Sequence, residues 1–213
     1  MRPRLGPCLR FPLAAPERRR DVVVGGLRLL VPLVGWIVNL GHRLEVVHGL
    51  VHGLVHGPRP VFPGFRPVAP LLRKGLRAFG AIVLYLAPSA TLALVAATAT
   101  EGAVRTAAFV GAAALLGLGV FVLPGGMTWN AAHDDMSMLH RPDRAWRRAR
   151  EGGWDSVAAW GIALVAITLS FAGLVVAGVG FLFTSAWAWH VAGYAFSTSL
   201  VIDEEVPRAG HAS

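Results

Sequence analysis

Cys8 is the only cysteine among 213 residues. A single thiol forms no intrachain disulfide and no CxxC-type metal site, so neither device can organise this fold. Lysine is as scarce: of twenty basic residues, Lys74 alone is a lysine and the other nineteen are arginines. Twelve acids bring all charged residues to 15% of the chain, against 54% hydrophobic. That balance lies outside the usual range of soluble domains. The net charge of +8 would suit nucleic acid, but the arginines flank apolar runs, the pattern of a membrane surface, and no nucleic-acid partner is expected. Absent too are a nucleophile elbow, a phosphate loop and a HExxH helix. No catalytic residue and no cofactor is therefore expected, and the chain reads as non-enzymatic.

What the sequence does contain is a run from Ser156 to Ile202, forty-seven residues without one formally charged side chain. As one helix it would be about 70 Å long, more than twice a hydrocarbon core of ~30 Å. It must cross twice, and Gly178-Val179-Gly180 is the natural break, since glycine lowers helix propensity and allows a tight reversal. Spans are thus expected at 157–177 and 181–201. Two more follow from charge-free runs at 78–100, kinked by Pro88, and 106–124, rich in Ala and Gly, with Glu101 and Arg105 in the short turn between.

The expected fold is all-α: a polytopic helical membrane protein with four transmembrane helices, an N-terminal re-entrant or spanning element, and interfacial amphipathic helices. Residues 1–21 read as a basic, mostly extended cytoplasmic arm, with six arginines and prolines at 3, 7, 12 and 16. Residues 22–202 read as a single integral membrane domain, and 203–213 as a cytoplasmic tail opening with Asp203, Glu204 and Glu205. Within the domain, 22–40 is apolar but carries Arg28, Pro32 and Gly35. Basic clusters lie on both sides of it, so a full crossing would put one of them outside, against the positive-inside tendency. A re-entrant hairpin turning near 32–35 keeps both inside and is favoured over a fifth span. The basic residues gather in the arm, in 41–77 and in 127–153, with only the turn around Glu101 and Arg105 on the opposite side, which puts both termini in the cytoplasm and the protein in the cytoplasmic membrane.

Two histidine groups invite a metal reading. His48, His52 and His56 recur every four residues, the spacing that lets imidazoles share one helical face and one ion. His133 and His140 bracket Asp134, Asp135 and two methionines. Against the first stands a plain alternative, an interfacial amphipathic helix whose glycines loosen the spacing. Against the second stands an ordinary helix end, with the aspartates near an N-terminus and arginines around Trp146 anchoring at the interface. No metal is expected at either. His190 differs, because an ionisable side chain well inside a span is by default a candidate functional residue; interhelical packing is the competing explanation.

The order of weak motifs resembles the DUF4013 family, membrane proteins of unassigned function in bacteria and archaea. The residues are Phe11-Pro12, Gly25-Gly26-Leu27, Pro32 with Gly35, Leu40-Gly41, Pro63 with Phe65, Gly75-Leu76, Tyr85 with Pro88, the run from Gly178 to Ser185, and Gly193. They extend over about residues 11–200. His42 stands where the family tends to have tyrosine, and the histidine repeat looks like an insertion. The resemblance implies a membrane-embedded helical fold and brings no activity with it.

Two functions remain. One is an accessory, scaffold or assembly component, whose partners are the lipid bilayer and other membrane proteins. The other is a small permease-like transporter, which requires a polar mid-membrane cavity reaching His190 through Thr91, Thr168, Ser170 or Thr184.

Overall fold

The computed structural model describes residues 3–53, 64, 67–134, 141–175 and 178–201. Among these there is no strand. The helices are α1 (Leu5–Arg10), α2 (Pro16–Arg28), α3 (Val34–Val51), α4 (Val68–Thr98), α5 (Gly102–His133), α6 (Pro142–Glu151), α7 (Gly153–Ser170) and α8 (Val179–Val201). Short 3-10 turns lie at Phe11–Leu13 and Phe171–Val175. Three segments are long and apolar enough to cross a membrane: Val68–Thr98, Gly102–His133 and Gly153–Val175.

The N-terminal arm is helical, not extended. Three of its prolines do not break the structure because they occupy first turns: Pro7 is the third residue of α1, Pro12 the second of the 3-10 turn and Pro16 the first of α2, where a missing N–H removes no helical hydrogen bond. The arm also packs inward. Cys8 is fully buried among Ala159, Ala163 and Ala195, Phe11 stacks on Tyr194 at 4.3 Å between centroids, and Trp187 donates to the Leu9 carbonyl at 3.2 Å. Burial pushes the Cys8 thiol above its ordinary pKa, which leaves it a packing residue with little thiolate.

Residues 22–40 do not form one straight helix. The chain reverses between α2 and α3, with Leu33 in a positive-φ conformation (63°) at the entry to α3. Cross-contacts define an antiparallel hairpin: Asn39 donates to the Gly25 carbonyl at 2.9 Å, and Asp21 meets His42. The tip exposes Leu27, Leu30, Val31, Leu33 and Val34, five large apolar side chains in a row of turns.

The interfacial amphipathic helix expected over residues 41–58 is described as far as Gly53, and residues 41–51 do not form a separate element. They continue α3 instead, with Leu40, His42, Leu44, Val46, Val47 and Leu50 buried. The helix runs through Gly49 to Val51, and Gly53, just past the cap, takes a φ of +68° that serves the termination. On α4, Gly75 faces the α3 backbone so closely that a Cβ would run into the Ile37 carbonyl; Gly41 meets the Leu71 carbonyl in the same way. That glycine pair sets the α3–α4 approach.

α4 and α5 form a long antiparallel pair, each about 46–48 Å by length. Arg105 closes their turn by donating twice to the Ala99 carbonyl. Ser89 hydrogen-bonds to the Ala112 carbonyl across the pair at 2.8 Å. Pro124 does not end α5, which continues to His133, nine residues beyond the expected limit. Asp134 caps the C-terminus of that helix in the left-handed region (φ 53°), not an N-terminus as expected; aspartate tolerates that conformation better than most residues. α6 exposes Arg144, Trp146, Arg147 and Arg150, lays Arg148 over the Trp129 ring of α5, and buries Ala145 and Ala149.

α7 and α8 pack through alanines, Ala159, Ala163 and Ala166 against Ala188, Ala192 and Ala195. The turn before α8 uses Gly178 at φ +74°, with the Phe181 N–H bonded to its carbonyl. Gly180 lies inside α8, close against Gly173, so the two glycines of the expected hinge do different work. Between Phe181 and Ser199 no residue of α8 is exposed, because α2, α3, α7 and the N-terminal arm surround it.

Candidate functional site

Three ionisable side chains from three elements meet inside this packing. Asp21 Oδ2 on α2 lies 3.0 Å from His42 Nε2 on α3. The His42 ring stands 5.4 Å from the ring of His190 on α8, centroid to centroid, tilted by 59°. All three are buried. The His190 Nδ1 donates to the Ala186 carbonyl one turn back, at 2.8 Å. That bond fixes the tautomer, so the neutral ring presents a bare Nε2, which is buried and has no hydrogen-bond partner among the described residues.

Arg43 follows His42 in sequence but faces another way. Its guanidinium lies 5.0 Å from the Trp189 ring centroid, and its stem crosses α8 at Gly193, where a Cβ would stand 3.5 Å from Arg43 Cγ. It borders a groove of about 380 Å³ between the α4–α5 and α7–α8 pairs. The walls are apolar: Ile82, Leu86, Val120, Leu123, Trp160 and Phe181 are among them. A second, smaller polar recess holds Leu44, Lys74, Arg77, Asn130 and Asp134, and beside it Lys74 is ion-paired with Glu45.

Two histidines of the repeat, His48 and His52, make hydrogen bonds to α5. His48 Nδ1 donates to the Ala131 carbonyl and His52 Nε2 to the Ala132 carbonyl, both at 2.8 Å. These carbonyls belong to the last turn of α5, which has no intrahelical partner for them. α3 thus caps α5 with two imidazoles one turn apart, their rings 4.3 Å between centroids. His133 stacks on Trp129 and donates to its carbonyl. His56 and His140 lie outside the described residues. Among the described residues, no three His, Cys, Asp or Glu side chains stand close enough to hold a metal ion.

Of the residues singled out in the sequence, His190 alone enters the buried cluster. Asp21, the last residue of the N-terminal arm, and His42, which departs from the family pattern, carry no sequence signal that would join them to it. Of the hydroxyls that a transport pathway would need, Ser170 bonds the Ile167 carbonyl, Thr184 the Ser170 carbonyl across to α7, and Thr91 the Ala87 carbonyl on an exposed face, while Thr168 is exposed. No family model, curated protein or solved structure matches the chain.

Proposed function

We propose that this chain is a multi-pass protein of the cytoplasmic membrane with a non-enzymatic scaffold or assembly role. The observation that carries the reading is the outer surface of α4 and α5, where Leu94, Phe109 and Val110 are 66%, 68% and 60% exposed. A continuous surface of this kind belongs in lipid or against a partner protein. In the same reading α8 is the fourth span, the α2–α3 hairpin is re-entrant with its apolar tip in the bilayer, and the arginine distribution keeps both termini in the cytoplasm. The resemblance to the DUF4013 family agrees with such an architecture.

Purification in mild detergent from the native membrane, followed by native electrophoresis and identification of associated chains, tests the role. Stoichiometric association with another membrane protein is expected; a lone chain under all mild conditions overturns it.

A second reading rests on the Asp21–His42–His190 cluster. Three buried ionisable groups are costly in a purely structural interior, and a transporter would use them to carry a proton. Proteoliposome proton flux that is lost on His190→Gln would favour transport over the scaffold role.

A further inference from the structure

We propose that the groove between the two helix pairs is a binding site for an anionic phospholipid, with one acyl chain along the apolar walls and the headgroup phosphate on Arg43. The site requires the membrane placement proposed above but not the scaffold role. Its chemistry follows from how neighbouring cations are treated. On α4, Lys74 is neutralised by Glu45 of α3. Arg43, two residues before Glu45, has no carboxylate within ion-pair distance among the described residues, and its one charge-related contact is the face of Trp189. The face of a ring returns only a small part of what a charge partly withdrawn from water loses. An anion is the missing partner.

The groove says which kind of anion. Its volume of about 380 Å³ falls in the range of ligand-sized pockets, yet apart from Arg43, Ser170 and Ser185 its lining is carbon-rich. Both serines turn their hydroxyls to carbonyls of their own helix. A small free anion would leave that apolar length unused, and a neutral acyl chain would leave the cation unanswered. An amphiphile with one anionic end satisfies both. At the level of Arg43 along α3, the neighbouring residue Leu44 borders the polar recess of Lys74, Arg77 and Asn130 on the adjacent face, so in the proposed placement the headgroup end of the groove is the end at Arg43. Arginine suits phosphate because its planar fork donates two parallel hydrogen bonds.

The test uses the full chain in nanodiscs of phosphatidylcholine doped with brominated phosphatidylglycerol or, separately, brominated phosphatidylcholine. Bromine quenches tryptophan on contact, and the Trp189 contribution is taken as the difference between wild type and Trp189→Phe. Quenching of that component several-fold stronger by the anionic lipid is expected. Arg43→Gln should bring the ratio to about one, and Arg43→Lys should keep part of it. Val120→Phe narrows the groove without touching the cation and should reduce the preference as well; if Arg43→Gln does not accumulate, this variant decides. Equal quenching by the two lipids in wild type overturns the site. So does a preference unchanged in Val120→Phe or Arg43→Gln, because the lipid then binds elsewhere.

Discussion

Phe196 on α8 and Phe109 on α5 are the same side chain in opposite surroundings: the first is 5% exposed, the second 68%. The difference extends to their helices. α4 and α5 are apolar enough to register as membrane-crossing and are mostly uncovered. α8 has no exposed residue from Phe181 to Ser199, yet contains His190, several hydroxyls and two glycines and is not among the segments apolar enough to cross. Where the solvent is lipid, apolar composition marks the surface, and the interior can afford polar atoms because protein groups satisfy them. Ser185, Ser197, Thr198 and Ser199 each bond a carbonyl three residues back. Small side chains then allow neighbours to approach α8 closely, which is how the arm and the α2–α3 hairpin reach it.

The strongest test of the contrast truncates the buried ring. Phe196 packs edge-on against Trp160 at 5.5 Å between centroids and belongs to the cluster around Val191 and Ala195. Phe196→Ala removes those contacts and leaves a cavity that alanine neighbours cannot fill. A loss of about 3–5 kcal/mol is expected, read as a fall in thermal stability in detergent or in refolding from denaturing detergent. A loss under about 1 kcal/mol would mean that α8 is not the centre of the packing.

That central role was only partly legible in the sequence. The charge-free run and the break near Gly178 could be seen because hydropathy and glycine act locally. The arm differs from its expectation for the same reason: spaced prolines look like breakers unless one knows that Pro7, Pro12 and Pro16 fall in first turns. The cluster was beyond reach. Asp21 and His42 are neighbours only because a hairpin reverses between them, and His190 joins from the far end of the chain. His190 was found alone, since an isolated ionisable residue in an apolar run needs no partner to be noticed. The histidine repeat drew attention by spacing, but its partners, the orphan carbonyls at the end of α5, belong to backbone and leave no sequence signal.

A smaller effect is expected at the entry to α8. Gly178 holds a φ of +74°, which a β-branched residue adopts at a cost of about 1–3 kcal/mol. Gly180 lies inside the helix and has no such requirement, though its backbone crowds Gly173. Gly178→Val should therefore lower accumulation and thermal stability, while Gly178→Asn should largely spare both, since asparagine tolerates the left-handed region. Valine and asparagine behaving alike at this position would show that the turn is set by something other than backbone conformation.

The smallest expected effect completes the comparison and separates its two explanations. Phe109→Ala removes the same atoms as Phe196→Ala, but from a ring that touches little protein. If Phe109 faces lipid, the ring exchanges one apolar neighbour for another when helices separate, because lipid tails are as apolar as the side chain. Stability of the isolated chain should then change by no more than about 0.5 kcal/mol, within the range of ordinary surface substitutions. If the α4–α5 surface instead seats a partner, the isolated chain should still be unaffected, but the copurifying protein should be lost or weakened, and Leu94→Ala should repeat the loss. Measuring thermal stability and partner recovery on the same preparations distinguishes the cases. A stability loss as large as that of Phe196→Ala would contradict both, since it would mean that Phe109 packs within the chain itself and that the two helix pairs close on each other more tightly than the groove between them allows.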